Sequence, residues 1–158
     1  MKSDKANKYF QLAKHHAELF SKDPVTKVCA LFIAPDSLNV LTSGVNGLPR
    51  NVKEKEERLQ RPTKYSYMTH SEINGLCNAA RHGICLDKSI VIVTMFPCCD
   101  CAKALIQVGV STIITVPPNY EDPKWGGHFR ISMEMFEEVG IEVVLIDESQ
   151  QCPPLPIT

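Results

Sequence analysis

Apolar positions along the chain change period several times, and each change marks a predicted element. Over residues 5–20, Tyr9, Leu12, Ala13, His16, Leu19 and Phe20 recur at helical spacing, which predicts a helix with one buried face. Ser21-Lys22-Asp23-Pro24 ends it, because the residue before a proline disfavours the α region. Residues 28–34 and 40–45 read as two strands, and Pro35-Asp36-Ser37 between them predicts a hairpin turn. A turn-rich segment, Gly44-Val45-Asn46-Gly47-Leu48-Pro49, follows. Residues 50–64 gather most of the charge and predict a solvated loop with a short helix. Residues 70–82 look helical, with Ile73, Leu76, Cys77 and Ala80 on the inner face and Gly83 as C-cap.

Residues 89–95 form a β-branched run without polar alternation, as expected of a central strand covered on both faces. Residues 98–108 predict a helix closed by Gly109, residues 111–116 another buried strand, residues 129–139 a helix stopped by Gly140, and residues 141–146 a last strand. The order α-β-β-α-β-α-β-α-β predicts an α/β chain. From residue 66 on, helices alternate with apolar strands, which requires right-handed crossovers and a largely parallel sheet. The opening hairpin adds an antiparallel edge. The expectation is one three-layer α/β/α domain over residues 1–150, with a mixed five-stranded sheet and helices on both faces. Residues 151–158, with Cys152-Pro153-Pro154-Leu155-Pro156, are expected to form a loose proline-rich tail.

Composition narrows the class. The chain has 158 residues, 44% hydrophobic and 22% charged, close to globular averages. Seventeen basic against 18 acidic residues leave a net charge of −1, which argues against a nucleic-acid partner. No apolar stretch approaches the roughly 18 residues of a membrane span, and residues 1–8 are too polar for a signal-peptide core. A cytoplasmic protein without a membrane partner is the default. In that reducing compartment the seven cysteines are not counted as disulfides, so some are expected to bind metal or react.

Two short motifs answer which ones. His70-Ser71-Glu72 starts one predicted helix, and Pro97-Cys98-Cys99-Asp100-Cys101 starts another directly after a strand. Pro97 suits a helix start, where its missing N–H would be unpaired anyway. Cys98 and Cys101, three apart in a first turn, place both sulfurs on one side, where the helix N-terminus favours thiolate. With a neutral His70 imidazole they make three zinc ligands and a neutral Zn²⁺ site. A fourth position stays open for water, as in catalytic zinc sites. Glu72 can then act as proton shuttle if His70 sits at an irregular first turn. His-x-Glu with Pro-Cys-x-x-Cys is the signature of zinc-dependent nucleobase deaminases. Two alternatives stay open at this point: a closed structural site with Cys77, Cys85 or His82 as fourth ligand, and a redox pair at Cys98 and Cys101. Cys29, Cys77, Cys85 and Cys152 read as small core or tail residues, and Cys99 as packing.

Further segments carry a family likeness over about residues 5–147. Residues 21–28 (SKDPVTKV) resemble the SKDPSTKVGA segment of deoxycytidylate (dCMP) deaminases. Residues 44–50 (GVNGLPR) resemble their GYNGFPRG turn. Residues 70–81 resemble HAExNAI…NAAR, and residues 96–109 resemble FPCxxCAKxIIQAG. The resemblance implies a cytidine deaminase-like fold. It also implies hydrolysis of dCMP to dUMP and ammonia, supplying dUMP for thymidylate synthesis. By the same likeness His70, Cys98 and Cys101 hold one Zn²⁺ and Glu72 shuttles protons. Asn46 binds the sugar and helps hold the base, and the Ser71 N–H meets the pyrimidine edge. Pro97 belongs to the substrate wall, and Ser21, Lys22 and Tyr120 lie on the phosphate side. A hexamer, dCTP and dTTP effectors near the Gly-x-Asn-Gly turn, and Mg²⁺ with such a nucleotide are implied too. The chain departs from the pattern at Ser71 (usually Ala), Cys29 and Asn51 (both Gly), and Phe20 (often Arg or Lys). Other readings are a deaminase of dCTP, deoxycytidine or C5-modified dCMP, a non-catalytic zinc-stabilised module, and a deaminase acting on nucleic acid.

Overall fold

The computed structural model describes residues 1–146; the expected tail at 151–158, with Cys152, lies outside the described residues. The first helix, α1 (Ser3–Phe20), buries Ala6, Phe10, Ala13 and Ala17. The inner face is therefore rotated from the one the larger side chains predict: Leu12, Leu19 and Phe20 are 47%, 59% and 60% exposed. Alanines let the helix axis lie close to the sheet, and close approach decides the face here more than side-chain size.

The hairpin forms as predicted, from β1 (Cys29–Ile33) and β2 (Val40–Val45), paired antiparallel. The charged stretch that follows is less solvated than its composition predicts. It carries two short helices, α2 (Glu56–Leu59) and α3 (Lys64–Tyr67), and Lys64 is only 2% exposed. Then come α4 (Ser71–His82), β3 (Ile90–Val93), α5 (Cys99–Gln107), β4 (Thr112–Thr115), α6 (Gly126–Glu138) and β5 (Glu142–Leu145). The strand order is β2-β1-β3-β4-β5. Strand β1 runs antiparallel to both its neighbours, whereas β3, β4 and β5 are parallel. This is the mixed five-stranded sheet the element order predicts.

Alternate residues of each strand face two separate cores. Cys29, Leu31, Ile33, Ile90 and Ile92 meet the inner face of α1. Ala30, Phe32, Val91 and Val93 meet Ala79 of α4, Ala102 and Leu105 of α5, and Phe129 and Phe136 of α6. One helix covers one face and three cover the other. Continuous burial of β1 and β3 is the reason their sequences show no alternation.

Helix α4 differs from expectation in the face it buries. Ser71, Glu72, Gly75 and Ala79 point inward, while Cys77 is exposed. Two glycines explain this. A Cβ at Gly75 would lie 2.4 Å from a Phe32 ring carbon, and a Cβ at Gly44 would lie 2.2 Å from the Ser71 carbonyl and 2.3 Å from the Gly75 nitrogen. The helix is pressed onto the sheet at this pair, and the face without bulk is the one that fits. Gly83 takes the expected left-handed C-cap, with φ of 65°. Among the described residues, no helix is long and apolar enough to cross a membrane.

Candidate metal centre and active-site cavity

Two helix starts meet beyond the carboxyl end of β3. His70 is the N-cap residue of α4 and Cys98 that of α5, both with extended backbone. The second helix thus begins one residue later than predicted. Pro97 stands buried ahead of the cap rather than inside the first turn. Cys101, in that turn, is 1% exposed. The extended N-cap backbone frees His70 from helical spacing, so His70 and Glu72 reach the same region although they are only two residues apart.

The side chains of His70, Cys98 and Cys101 offer three donor atoms within 4.8 Å of one another. The His70 Nδ1 lies 3.5 Å from each sulfur. Tetrahedral zinc, with Zn–S about 2.3 Å and Zn–N about 2.0–2.1 Å, has S···N edges of about 3.5 Å. The donor set therefore fits Zn²⁺ in both chemistry and spacing. Cys77 and Cys85 are exposed and not among the clustered donors, so neither closes the site, and as exposed residues they are not the small core residues expected. Cys29 is buried as expected, and burial pushes its thiol up to about 12.

Protonation in the centre is set by these contacts. The hydrogen bond from Cys101 drives the Cys98 thiol down to about 4 against the opposing effect of burial, with His70 adding to the effect. Cys101 carries the proton of the pair, and its thiol is raised by Cys98 and by burial. His70 is raised by its bond to Cys98. Glu72 is 4% exposed, and burial raises its pKa. Its Oε2 accepts a hydrogen bond of 3.0 Å from the Ser71 hydroxyl, a bond that an alanine at this position could not make.

An open cavity leads to the centre. His70, Glu72 and Cys98 form its floor side, and Asn46, Thr26, Val28, Phe96 and Phe129 contribute walls. Asn46 reaches the cavity as expected, but its carboxamide is a tie. Nδ2 donates to the Thr26 carbonyl (2.8 Å), and Oδ1 accepts the Ser71 N–H (3.0 Å). The Ser71 N–H expected at the pyrimidine edge is thus already committed to Asn46.

The residues expected on the phosphate side do not line this cavity. The Ser21 hydroxyl donates to the Asn46 carbonyl (3.2 Å), and the Lys22 N–H donates to the same oxygen (3.0 Å). The Lys22 ammonium pairs with Glu54. Tyr120 packs on the core beneath α6, with the Arg130 guanidinium 4.8 Å from its ring centroid. In their place the cavity presents residues that sequence reasoning missed: Asp23, Arg61, Lys64, Tyr65 and Trp125. Both Asp23 oxygens accept from the Lys64 ammonium, at 2.9 and 2.7 Å. Trp125 meets the His70 ring edge-on, with centroids 5.8 Å apart at 71°. The Asn119–Trp125 turn was the available signal for it: Asp122 accepts the Lys124 and Trp125 N–H groups and presents the indole at the start of α6.

Comparison with known proteins agrees with this geometry. Residues 3–116 match the family model described as the cytidine and deoxycytidylate deaminase zinc-binding region. An uncharacterized deaminase in the luxG 3′ region of Aliivibrio fischeri is 34% identical over 140 residues, covering 87% of this chain and 90% of that protein. A probable deoxycytidylate deaminase of Drosophila melanogaster is 34% identical over 146 residues, covering 85% of this chain and 68% of the fly protein. Among solved structures, the dCMP deaminase of cyanophage S-TIM5, in complex with dCMP and dUMP, superposes with a TM-score of 0.73. It shares 23% identity and covers 92% of this chain and 99% of its own, a likeness of fold.

Proposed function

Because the chain belongs to the cytidine and deoxycytidylate deaminase family, we propose that it hydrolyses dCMP to dUMP and ammonia. The observation that carries this reading is the sharing of one cavity by a buried carboxylate, Glu72, and the donors of a three-ligand zinc set. Zinc held by His70, Cys98 and Cys101, one ion per chain, would supply the Lewis acidity that makes water nucleophilic at neutral pH.

The remaining work falls to side chains of this chain. The Glu72 carboxylate accepts a proton from the attacking water, passes it to N3 of cytosine, and takes the second water proton to the leaving amino nitrogen. Water oxygen ends on C4 and the C4–N4 bond breaks, so base plus water balances uracil plus ammonia. The Ser71 hydroxyl holds one carboxylate oxygen of Glu72 in place. The Trp125 indole packs on the His70 ring and excludes water from that side. Asn46 fixes the first turn of α4 to the cavity wall through the Ser71 N–H. The product would feed a thymidylate-forming step. A second depression beside Pro49, Arg50, Asn78 and Arg81 is where dCTP or dTTP effectors would act in a homo-oligomer.

Zinc-loaded protein incubated with dCMP should lose cytosine absorbance. Glu72→Gln should keep its metal and lose roughly 10²–10⁴ in kcat. No absorbance change with dCMP, with or without dCTP, would remove this reading.

A further inference from the structure

The phosphate-side residues expected from the sequence point elsewhere, yet the cavity has a positive rim of its own. Tyr65, 44% exposed on the cavity wall, is surrounded by three cations. The Lys124 ammonium lies 2.7 Å from its ring centroid, the Lys64 ammonium 5.8 Å and the Arg61 guanidinium carbon 6.0 Å. Lys64 is neutralised by Asp23, among the described residues the only carboxylate besides Glu72 lining this cavity. Arg61 and Lys124 form no ion pair among the described residues. Asp122, which precedes Lys124 by two, turns one oxygen to backbone N–H groups instead. Arg61 therefore lines the cavity, and Lys124, which feels the charge of Asp122 without an ion-pair contact, lies over Tyr65 at its edge. At the end of α1, where the family resemblance leads one to expect a base, Phe20 packs tilted against His16 with ring centroids 4.9 Å apart.

We propose that Arg61 and Lys124, on either side of Tyr65, form the subsite that binds the 5′-phosphate of the nucleotide. This rests on the nucleotide reading above. A guanidinium fork can meet two phosphate oxygens at once, and the ammonium adds a point charge. The Asp23–Lys64 pair keeps the wall behind Tyr65 fixed and nearly neutral, so the phosphate is attracted to the rim and not into the buried wall. Both cations are exposed, and the attraction weakens with salt.

The chain's single tryptophan, Trp125, lines this cavity, so its fluorescence reports binding directly. The probes are dUMP and deoxyuridine, which differ by the phosphate alone, titrated into the zinc-loaded protein. Wild type should bind dUMP more tightly than deoxyuridine, with a gap that narrows as salt rises. The double variant R61A/K124A should weaken dUMP by roughly ten- to a hundredfold and close the gap, with deoxyuridine binding unchanged. The unchanged deoxyuridine titration also shows that the variant folds. Equal dUMP affinity in variant and wild type, with dCMP still converted, would overturn the subsite and leave the deaminase reading standing. Failure of wild type to bind dUMP or convert dCMP would overturn both.

Discussion

The proton count at three side chains decides how the metal centre behaves. Zinc needs two thiolates and a neutral imidazole. The Cys98–Cys101 contact lowers the Cys98 thiol and raises that of Cys101, and the upward shift of His70 favours its charged form. Metal uptake must therefore displace protons from Cys101 and His70. Apparent zinc affinity should rise with pH through the neutral range, and chelator competition at several pH values will show it. Calorimetric enthalpies that vary with the buffer's ionisation heat will count the protons, and a pH-independent affinity would contradict the assignment. These residues were readable in the sequence because each motif is short and each stands at a helix start, where local spacing fixes the geometry. Glu72 was readable for the same reason, but its raised pKa was not, because burial in the fold causes it. The commitment of the Ser71 N–H to Asn46 was not, because it joins residues 25 apart in sequence.

Among the elements, α4 carries both His70 and Glu72, so its seat on the sheet sets the site. That seat depends on Gly44 meeting backbone atoms of Ser71 and Gly75. Gly44→Ala would put a methyl group into rigid backbone, and relief requires the helix to lift. Overpacking of this kind costs about 1–3 kcal/mol. We expect a lower Tm together with a loss of zinc, measured on the same preparation by thermal melt and metal content. A Tm loss with full metal occupancy would mean that the helix start does not follow its middle. Strand pattern and glycine stops made every long element readable in the sequence. The inner faces of α1 and α4 were not, since α1 seats three alanines with Phe10, and α4 seats Ser71, Gly75 and Ala79 with Glu72, in place of the larger apolar residues. Helix α6 starts at Gly126, three residues before the expected 129, and the lack of a side chain there lets it pack against the Tyr120 carbonyl.

For the molecule as a whole, Asp23 and Lys64 join segments 41 residues apart. Their side chains are 4% and 3% exposed. Burial alone would raise the Asp23 pKa, but Lys64 and the Val25 and Thr26 N–H groups outweigh it, and the net shift is downward. A lowered carboxylate stabilises the fold above its unfolded pKa, and that stability is lost as pH falls through the folded value. Lys64→Met leaves a buried charge unpaired and should cost about 3–5 kcal/mol at neutral pH. The deficit should shrink on acidification, as denaturant melts across the carboxylate range would record. A deficit independent of pH would point to lost packing instead. Composition hid this pair: Lys64 lies in the most charged stretch of the chain, and only the tertiary fold takes it out of water.

Asn46 is followed by glycine, the dipeptide in which a backbone nitrogen most readily attacks the preceding carboxamide to form a succinimide. Here the attacking Gly47 N–H is held by the Thr69 carbonyl, and both ends of the Asn46 amide are hydrogen-bonded. The tie that orders the cavity also holds those atoms apart, so chemical ageing at this position is a property of the unfolded chain, and every excursion out of the fold exposes the protein to it.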